Sequence, residues 1–316
     1  MTAPRAGRAS SSLFGTFVVV LVLFALAPFV WPQCGVLGAS RAGAPERARP
    51  SEPRASGASA AQAGSEAAIA SSIHVALGVP RDSDGSDDHF LDEQAFVLSY
   101  NPKKRVPNWV AWRLDRSYFG SVGRGDDFRP DPALPAGFYR VNESDYRHSG
   151  YDRGHLCPSG DRKDSRADNS RTFLFTNIEP QLHELNAGPW EQFEEYVRKR
   201  AQQGQIVYAV AGGVFSAPYP TIGNGVAVPA ANFKIVVLLG EGQGKGDVSA
   251  ATEVLSVMMP NQRGVAEYDW TSYLTTVDAI EQASGYDFLT AISEPVQRVI
   301  EARVAQPHES RAGRAP

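Results

Sequence analysis

The sequence predicts an α+β fold with a mainly antiparallel sheet, in one domain. Three observations carry this: short runs of β-type residues recur along most of the chain, a well-delimited helix lies among them, and there are no internal repeats. The β-type runs are Phe96 to Tyr100, Trp109 to Leu114, Thr172 to Asn177, Ile206 to Ala211, Phe233 to Leu239 and Val254 to Met258, each rich in Val, Ile, Leu or aromatic side chains that suit a pleated surface. The helix opens at Gly188-Pro189, where proline suits the first helical position, and runs to about Gln203 with Gly204 as its stop. Trp190, Phe193 and Val197 recur at helical spacing and form its core stripe. Further helices are expected from Thr276 to Ala283, before Gly285, and from Pro295 to Val304. The stretch Arg81 to Asp88 reads as acidic and turn-like, so regular structure is expected to begin near Ala95.

Composition limits the chemistry. The 316 residues are 42% hydrophobic, enough for a sizeable core. Two cysteines, Cys34 and Cys157, exclude a disulfide framework, a multi-cysteine zinc site and iron-sulfur clusters. Residues 1 to 72 carry six arginines against three glutamates, so the net charge of -4 leaves the remainder at about -7. An acidic body does not coat nucleic acid through its whole field; any phosphate site must be a local cluster of basic side chains.

The N-terminal 40 residues read as a signal peptide or membrane anchor. Arg5 and Arg8 precede an apolar run from Leu13 to Trp31, and small residues follow at Gly38-Ala39-Ser40. The chain is therefore expected to be exported, as a secreted or periplasmic protein or one anchored by residues 13-31, with a mitochondrial presequence as the alternative. Residues 41-72 are dominated by Ala, Ser, Gly, Pro, Arg and Glu without apolar periodicity, which predicts a disordered tether. The folded domain is then 73-306, and 307-316 is a disordered tail.

Three polar clusters lie close in sequence: Arg124 to Asp131, Tyr151 to Arg162, and Thr176-Asn177 with Leu185-Asn186 to Glu194. Taken singly each is bland, as surface ion pairs, a satisfied structural histidine and a helix-cap residue. Together they supply the parts of phosphodiester hydrolysis. An imidazole such as His155 can take a proton from water near neutral pH, and an unperturbed one charges below about pH 6, where activity is expected to fall. A single carbonyl such as that of Asn186 can hold Mg²⁺, which keeps most of its waters, and Glu194 can steady those waters. Arginine supplies a permanent forked charge for phosphate.

Asp152-Arg153-Gly154-His155, followed by Leu156-Cys157-Pro158-Ser159-Gly160-Asp161-Arg162, resembles the signature of the DNA/RNA non-specific endonucleases, a ββα-metal family that includes bacterial secreted nucleases and mitochondrial endonuclease G. The Arg124 block, Thr176-Asn177-Ile178-Glu179-Pro180-Gln181, and Asn186, Trp190 and Glu194 are similar to that family in order and spacing. The likeness continues through Phe233-Lys234-Ile235-Val236-Val237 and Ser284 to Leu289, covering roughly 95 to 304. It implies a ββα-metal nuclease motif within the α+β fold and a 5′-phosphate product. His155 would activate water, Asn186 would bind Mg²⁺ (Mn²⁺ substituting), Glu194 would act through a water, and Arg124 would stabilise the phosphate. Asp152 and Arg153 would support the site directly and Asn177 from behind, while Arg124, Arg129 and Arg162 are the candidate nucleic-acid contacts. Cys157, Gly160 and Glu179 depart from the family's usual residues, and none removes a catalytic atom.

Other signals fail. His183-Glu184 begins like a zinc-protease motif, but Ala187 stands where the second histidine is required. Gly240 to Gly246 joins two strands and reads as a hairpin loop, and Cys157 as an inert buried thiol. The expected partners are DNA and RNA substrates, with room for an inhibitor protein and membrane contact only through an uncleaved N-terminal segment. The competing reading is a catalytically inactive nucleic-acid-binding relative, against which the joint presence of Arg124, His155, Asn186 and Glu194 counts.

Overall fold

A computed structural model describes residues 66-307; the expected export segment, nearly all of the tether and the tail from residue 308 lie outside it. The strands are β1 (His89–Asp92), β2 (Val97–Asn101), β3 (Val106–Leu114), β4 (Asp152–His155), β5 (Ile178–Gln181), β6 (Ile206–Val214), β7 (Thr221–Ile222), β8 (Val226–Ala227), β9 (Ala231–Leu239), β10 (Glu253–Pro260) and β11 (Leu274–Thr275). The helices are α1 (Glu143–Tyr146), α2 (Arg166–Arg171), α3 (His183–Asn186), α4 (Pro189–Gln202), α5 (Val277–Ser284) and α6 (Glu294–Ile300). Seven strands form one sheet in the order β1-β2-β3-β6-β9-β10-β11, with every neighbouring pair antiparallel. The pairs β4-β5 and β7-β8 stand apart from it.

The central strands are buried on both faces, which is why they read as nearly continuous apolar runs. Val110, Trp112 and Leu114 of β3 and Val236 and Leu238 of β9 face one layer, where Leu156, Trp190, Phe193 and Val197 pack on them. Trp109, Ala111, Phe233, Ile235 and Val237 face the other, against Val75, Leu77 and Val79 and the apolar sides of α5 and α6. A third cluster of Phe128, Tyr146, Phe173, Phe175 and Ile178 underlies the β4-β5 pair. Each fully buried side chain of this kind contributes on the order of 1.5–3 kcal/mol relative to exposure.

The structure alters several expectations. Thr172 to Asn177 is not a strand: α2, capped by the Ser165 hydroxyl at 3.0 Å from the Asp168 N–H, leads into a 3-10 turn at Phe175–Asn177, and β5 begins only at Ile178. The aromatic run there serves the third cluster rather than a sheet. Regular structure begins before Ala95, with a helical stretch over residues 66-70, a 3-10 turn at Ile73–Val75 and then β1. The ordered chain also reaches into residues assigned to the tether, because Ile69, 1% exposed, packs into the second layer and Glu66 pairs with Arg81 at 2.5 Å. The last helix ends at Ile300, short of Val304.

Candidate active site

His155 ends β4, and its register places it opposite Ile178, with Gly154 opposite Glu179. Gly154 is required by crowding: a Cβ there would lie 2.2 Å from Gln181 Oε1 and 2.6 Å from its Cγ. Beyond His155 the chain is clamped by Asn177, whose Oδ1 accepts from the Cys157 N–H at 2.9 Å while its Nδ2 donates to the carbonyls of Cys157 at 2.9 Å and Thr172 at 2.8 Å. Trp190 of α4 donates to the His155 carbonyl at 3.2 Å, tying β4 to the long helix.

The imidazole sits between two aromatic rings, Phe128 at 5.4 Å and Phe173 at 5.0 Å between centroids. Each of those rings carries an arginine: Arg153 lies 4.0 Å over Phe128 and Arg124 5.1 Å over Phe173. His155 is 8% exposed, and burial, then Arg124, Arg153 and Lys234, push its pKa down to about 3. The ring is therefore neutral far below the pH 6 threshold expected of an ordinary imidazole. Neither ring nitrogen hydrogen-bonds to any described residue, and Nε2 is buried. His74 shows the contrast, since its Nδ1 accepts from the Arg113 N–H at 3.1 Å and its Nε2 donates to the Gln94 carbonyl at 2.9 Å.

Asn186 closes the short helix α3. Its Nδ2 donates to Asp152 Oδ2 at 3.0 Å, and the same oxygen meets His183 Nδ1 at 2.8 Å. A carboxylate accepts and cannot donate, so this contact fixes the amide's orientation and leaves Asn186 Oδ1 without a partner among the described residues. An oxygen donor so presented, beside a carboxylate, suits a hard divalent cation. Arg124, Asp152, Arg153 and Asn186 line one cleft of about 450 Å³, with Phe128 in its wall.

Glu194 lies in an adjoining recess of about 340 Å³, and Arg124 lines both. Lys234, 1% exposed in the middle of β9, donates to Glu194 Oε1 at 2.7 Å and faces Trp190 at 4.2 Å and Trp112 at 5.2 Å. Burial pushes the Glu194 carboxyl upward, and the ammonium of Lys234 and the guanidinium of Arg198 oppose it. Arg198 in turn bonds Asp161 at 3.1 Å, and Asp161 accepts from Trp112 Nε1 at 3.0 Å. Gly160 makes room for this arrangement, because a Cβ there would stand 2.8 Å from the Arg198 Cζ. A lysine inside the apolar run Phe233 to Leu239 was the available sequence signal, since a buried ammonium requires a counter-charge.

Two expected phosphate contacts do not stand in the cleft. Arg162 is 0% exposed, and it donates to the carbonyls of Ala95 at 2.7 Å, Asp161 at 2.7 Å and Arg113 at 3.1 Å. No phosphate reaches it, so its assignment to nucleic-acid binding is corrected to that of a buried strut. Arg129 is half-exposed but committed to Asp127 at 2.7 Å and the Ser170 carbonyl at 2.9 Å, which fastens its loop to α2. Phe128, Phe173 and Lys234 are site neighbours to which the sequence reading assigned no role of their own. Cys157 is buried with its thiol pushed up to about 12, in keeping with an inert role.

Comparison with known proteins agrees with the fold. Residues 79–294 match the DNA/RNA non-specific endonuclease family. A nuclease of Nostoc sp. is 42% identical over 238 residues, spanning 74% of this chain and 86% of its own. Human mitochondrial endonuclease G is 32% identical over 212 residues, spanning 63% of this chain and 69% of its own. The crystal structure of the EndoG/EndoGI complex contains a similar fold, with a TM-score of 0.60 and 27% identity over 70% of this chain and 91% of that one. The α+β, mostly antiparallel architecture is accordingly that of a ββα-metal nuclease, and the chain belongs to the DNA/RNA non-specific endonuclease family.

Proposed function

We propose that this endonuclease is metal-dependent and sequence-non-specific, hydrolysing DNA and RNA phosphodiester bonds to 5′-phosphate products with His155 as general base. One observation carries the reading: an imidazole with no hydrogen-bond partner among the described residues, packed between Phe128, which lines the cleft, and Phe173, two rings that each carry an arginine, while the cleft presents the Asn186 oxygen. Such a ring is free to accept a proton from water as the water oxygen bonds to phosphorus and the 3′-oxygen departs, leaving the phosphate on the 5′ side. Arg124, 57% exposed at the junction of the two recesses, offers its charge to the phosphate. Arg153, stacked on Phe128, adds positive potential and helps to keep the imidazole neutral.

Asn186 would hold Mg²⁺, or Mn²⁺ in its place, with Asp152 orienting its amide and Glu194 acting through water. The cation, when bound, supplies charge stabilisation to the phosphoryl group and the departing oxygen. Lys234 keeps Glu194 in one position, and Asn177 holds the turn that follows His155. The apolar run 13-31 supports an exported enzyme, secreted, periplasmic or membrane-anchored, with a mitochondrial destination as the alternative. Among the described residues no helix is long and apolar enough to cross a membrane. EndoG is solved in complex with EndoGI, and an inhibitor protein is a partner to be expected here as well.

The test is cleavage of a plasmid and a ribosomal RNA by the purified chain with Mg²⁺, Mn²⁺ or chelator. Both substrates should be fragmented with either metal and spared by the chelator. His155→Ala should lose roughly 10²–10⁴-fold or more in rate while remaining folded. Full-length substrate persisting with both metals would instead favour the inactive nucleic-acid-binding reading, and near-normal cleavage by the variant would remove His155 from its role.

A further inference from the structure

Away from the cleft, on the layer of the sheet covered by α5 and α6, three carboxylates converge. Asp278 lies in the first turn of α5, Glu281 one turn later, and Glu301 caps the end of α6. One oxygen from each lies within 4.8 Å of the others. The Asp278 N–H also donates to the Glu301 carbonyl at 3.3 Å, so the two helices already meet here.

Glu301 is 7% exposed, and its buried Oε1 has no hydrogen-bond partner among the described residues. Glu281 Oε1 accepts from the Phe288 N–H at 2.9 Å, which orients that side chain. None of the three forms an ion pair with a described lysine, arginine or histidine. Burial, and then Glu281, Asp278 and Asp287, push the Glu301 carboxyl up to about 8. A site of this kind requires either a proton or a cation. Oxygen-only donors of flexible spacing, without nitrogen or sulfur, select a hard ion of irregular coordination, which is Ca²⁺ before any transition metal.

We propose that Asp278, Glu281 and Glu301 form a calcium site that fastens α6 to α5, separate from the catalytic cation. The experiment uses the full chain carrying Asn186→Ala, which weakens the proposed catalytic metal site, titrated with CaCl₂ by calorimetry and melted with and without CaCl₂. One calcium per chain should bind, and the melting temperature should rise by roughly 5–10 °C at calcium a hundredfold above its Kd. Adding Asp278→Asn should abolish both effects. Adding Glu301→Gln should also abolish them while raising the calcium-free melting temperature, because the folded state no longer has to hold a buried carboxyl in its protonated form. In the otherwise native chain, neither substitution should change Mg²⁺-supported cleavage at saturating Mg²⁺. Equal calcium-dependent shifts in all variants, or no shift in the Asn186→Ala parent, would overturn the proposal and leave a cluster neutralised by a proton.

Discussion

Burial of a neutral His155 makes the stability of this protein depend on acid in a way that one substitution isolates. The unfolded chain takes up a proton on this histidine near pH 6.5, whereas the folded chain does so only near 3. Between those values the unfolded state binds the additional proton, so stability is full above about pH 6.5 and falls as the pH drops through the window. At pH 4 the loss is on the order of 3 kcal/mol, from about 2.5 pH units at 1.36 kcal/mol each. His155→Gln cannot titrate and should be spared that loss. His74, pushed by burial to about 4, acts in the same direction but is common to both proteins and cancels. The pH-independent cost of placing glutamine beside Phe128 and Phe173 cancels as well, because the comparison is between slopes. The assay is urea unfolding followed by tryptophan fluorescence at pH 7 and pH 4, in chelator. If the two proteins lose the same stability to within about 0.5 kcal/mol, the imidazole is not held neutral by the fold and the argument for a pre-set base collapses.

Lys234→Met leaves Glu194 buried without its ammonium and should destabilise the fold by about 3–5 kcal/mol while lowering cleavage; Lys234→Met with Glu194→Gln should regain most of the stability and none of the rate, as read by urea unfolding and initial velocities. Arg162→Gln breaks three buried donor contacts and should cost about 3–5 kcal/mol with no change in the salt dependence of substrate binding, whereas Arg124→Gln should leave stability within about 1 kcal/mol and flatten that salt slope by about one; the reverse pattern would return Arg162 to the substrate. Glu179, held by Asn232 at 2.5 Å and pushed by burial up to about 8, keeps its proton in the folded state while the unfolded chain loses it near 4.5. Its contribution to stability therefore falls as pH rises between those values, and Glu179→Gln should gain roughly 3 kcal/mol over the parent between pH 4.5 and pH 7; parallel pH profiles would show that the carboxyl ionises in place.

The central strands and α4 were legible because their burial is repetitive. Val110, Trp112 and Leu114, or Trp190, Phe193 and Val197, repeat with the period of their own backbone, and any short window contains the pattern. The β4-β5 pair was not legible, since Asp152-Arg153-Gly154-His155 has no β-branched residue and is held in extended form by Ile178 to Gln181, more than twenty positions away. The same distance explains Thr172 to Asn177, whose aromatics look like a strand locally but are taken up by a cluster built from Phe128, Tyr146 and Ile178.

By itself the sequence determined the fold class, the family and the residue types available for hydrolysis, because these depend on local periodicity and on ordered spacings such as Asp152 to His155, Asn186 and Glu194. Only the tertiary structure decided which arginines face the cleft. Arg124 and Arg162 are equivalent as letters, yet one stands at the mouth of the cleft and the other is enclosed by three carbonyls. It also decided the charge state of His155 and the partner of Glu194. Both depend on desolvation and on neighbours brought from distant strands, and neither desolvation nor a through-space charge is written in the order of residues along the chain.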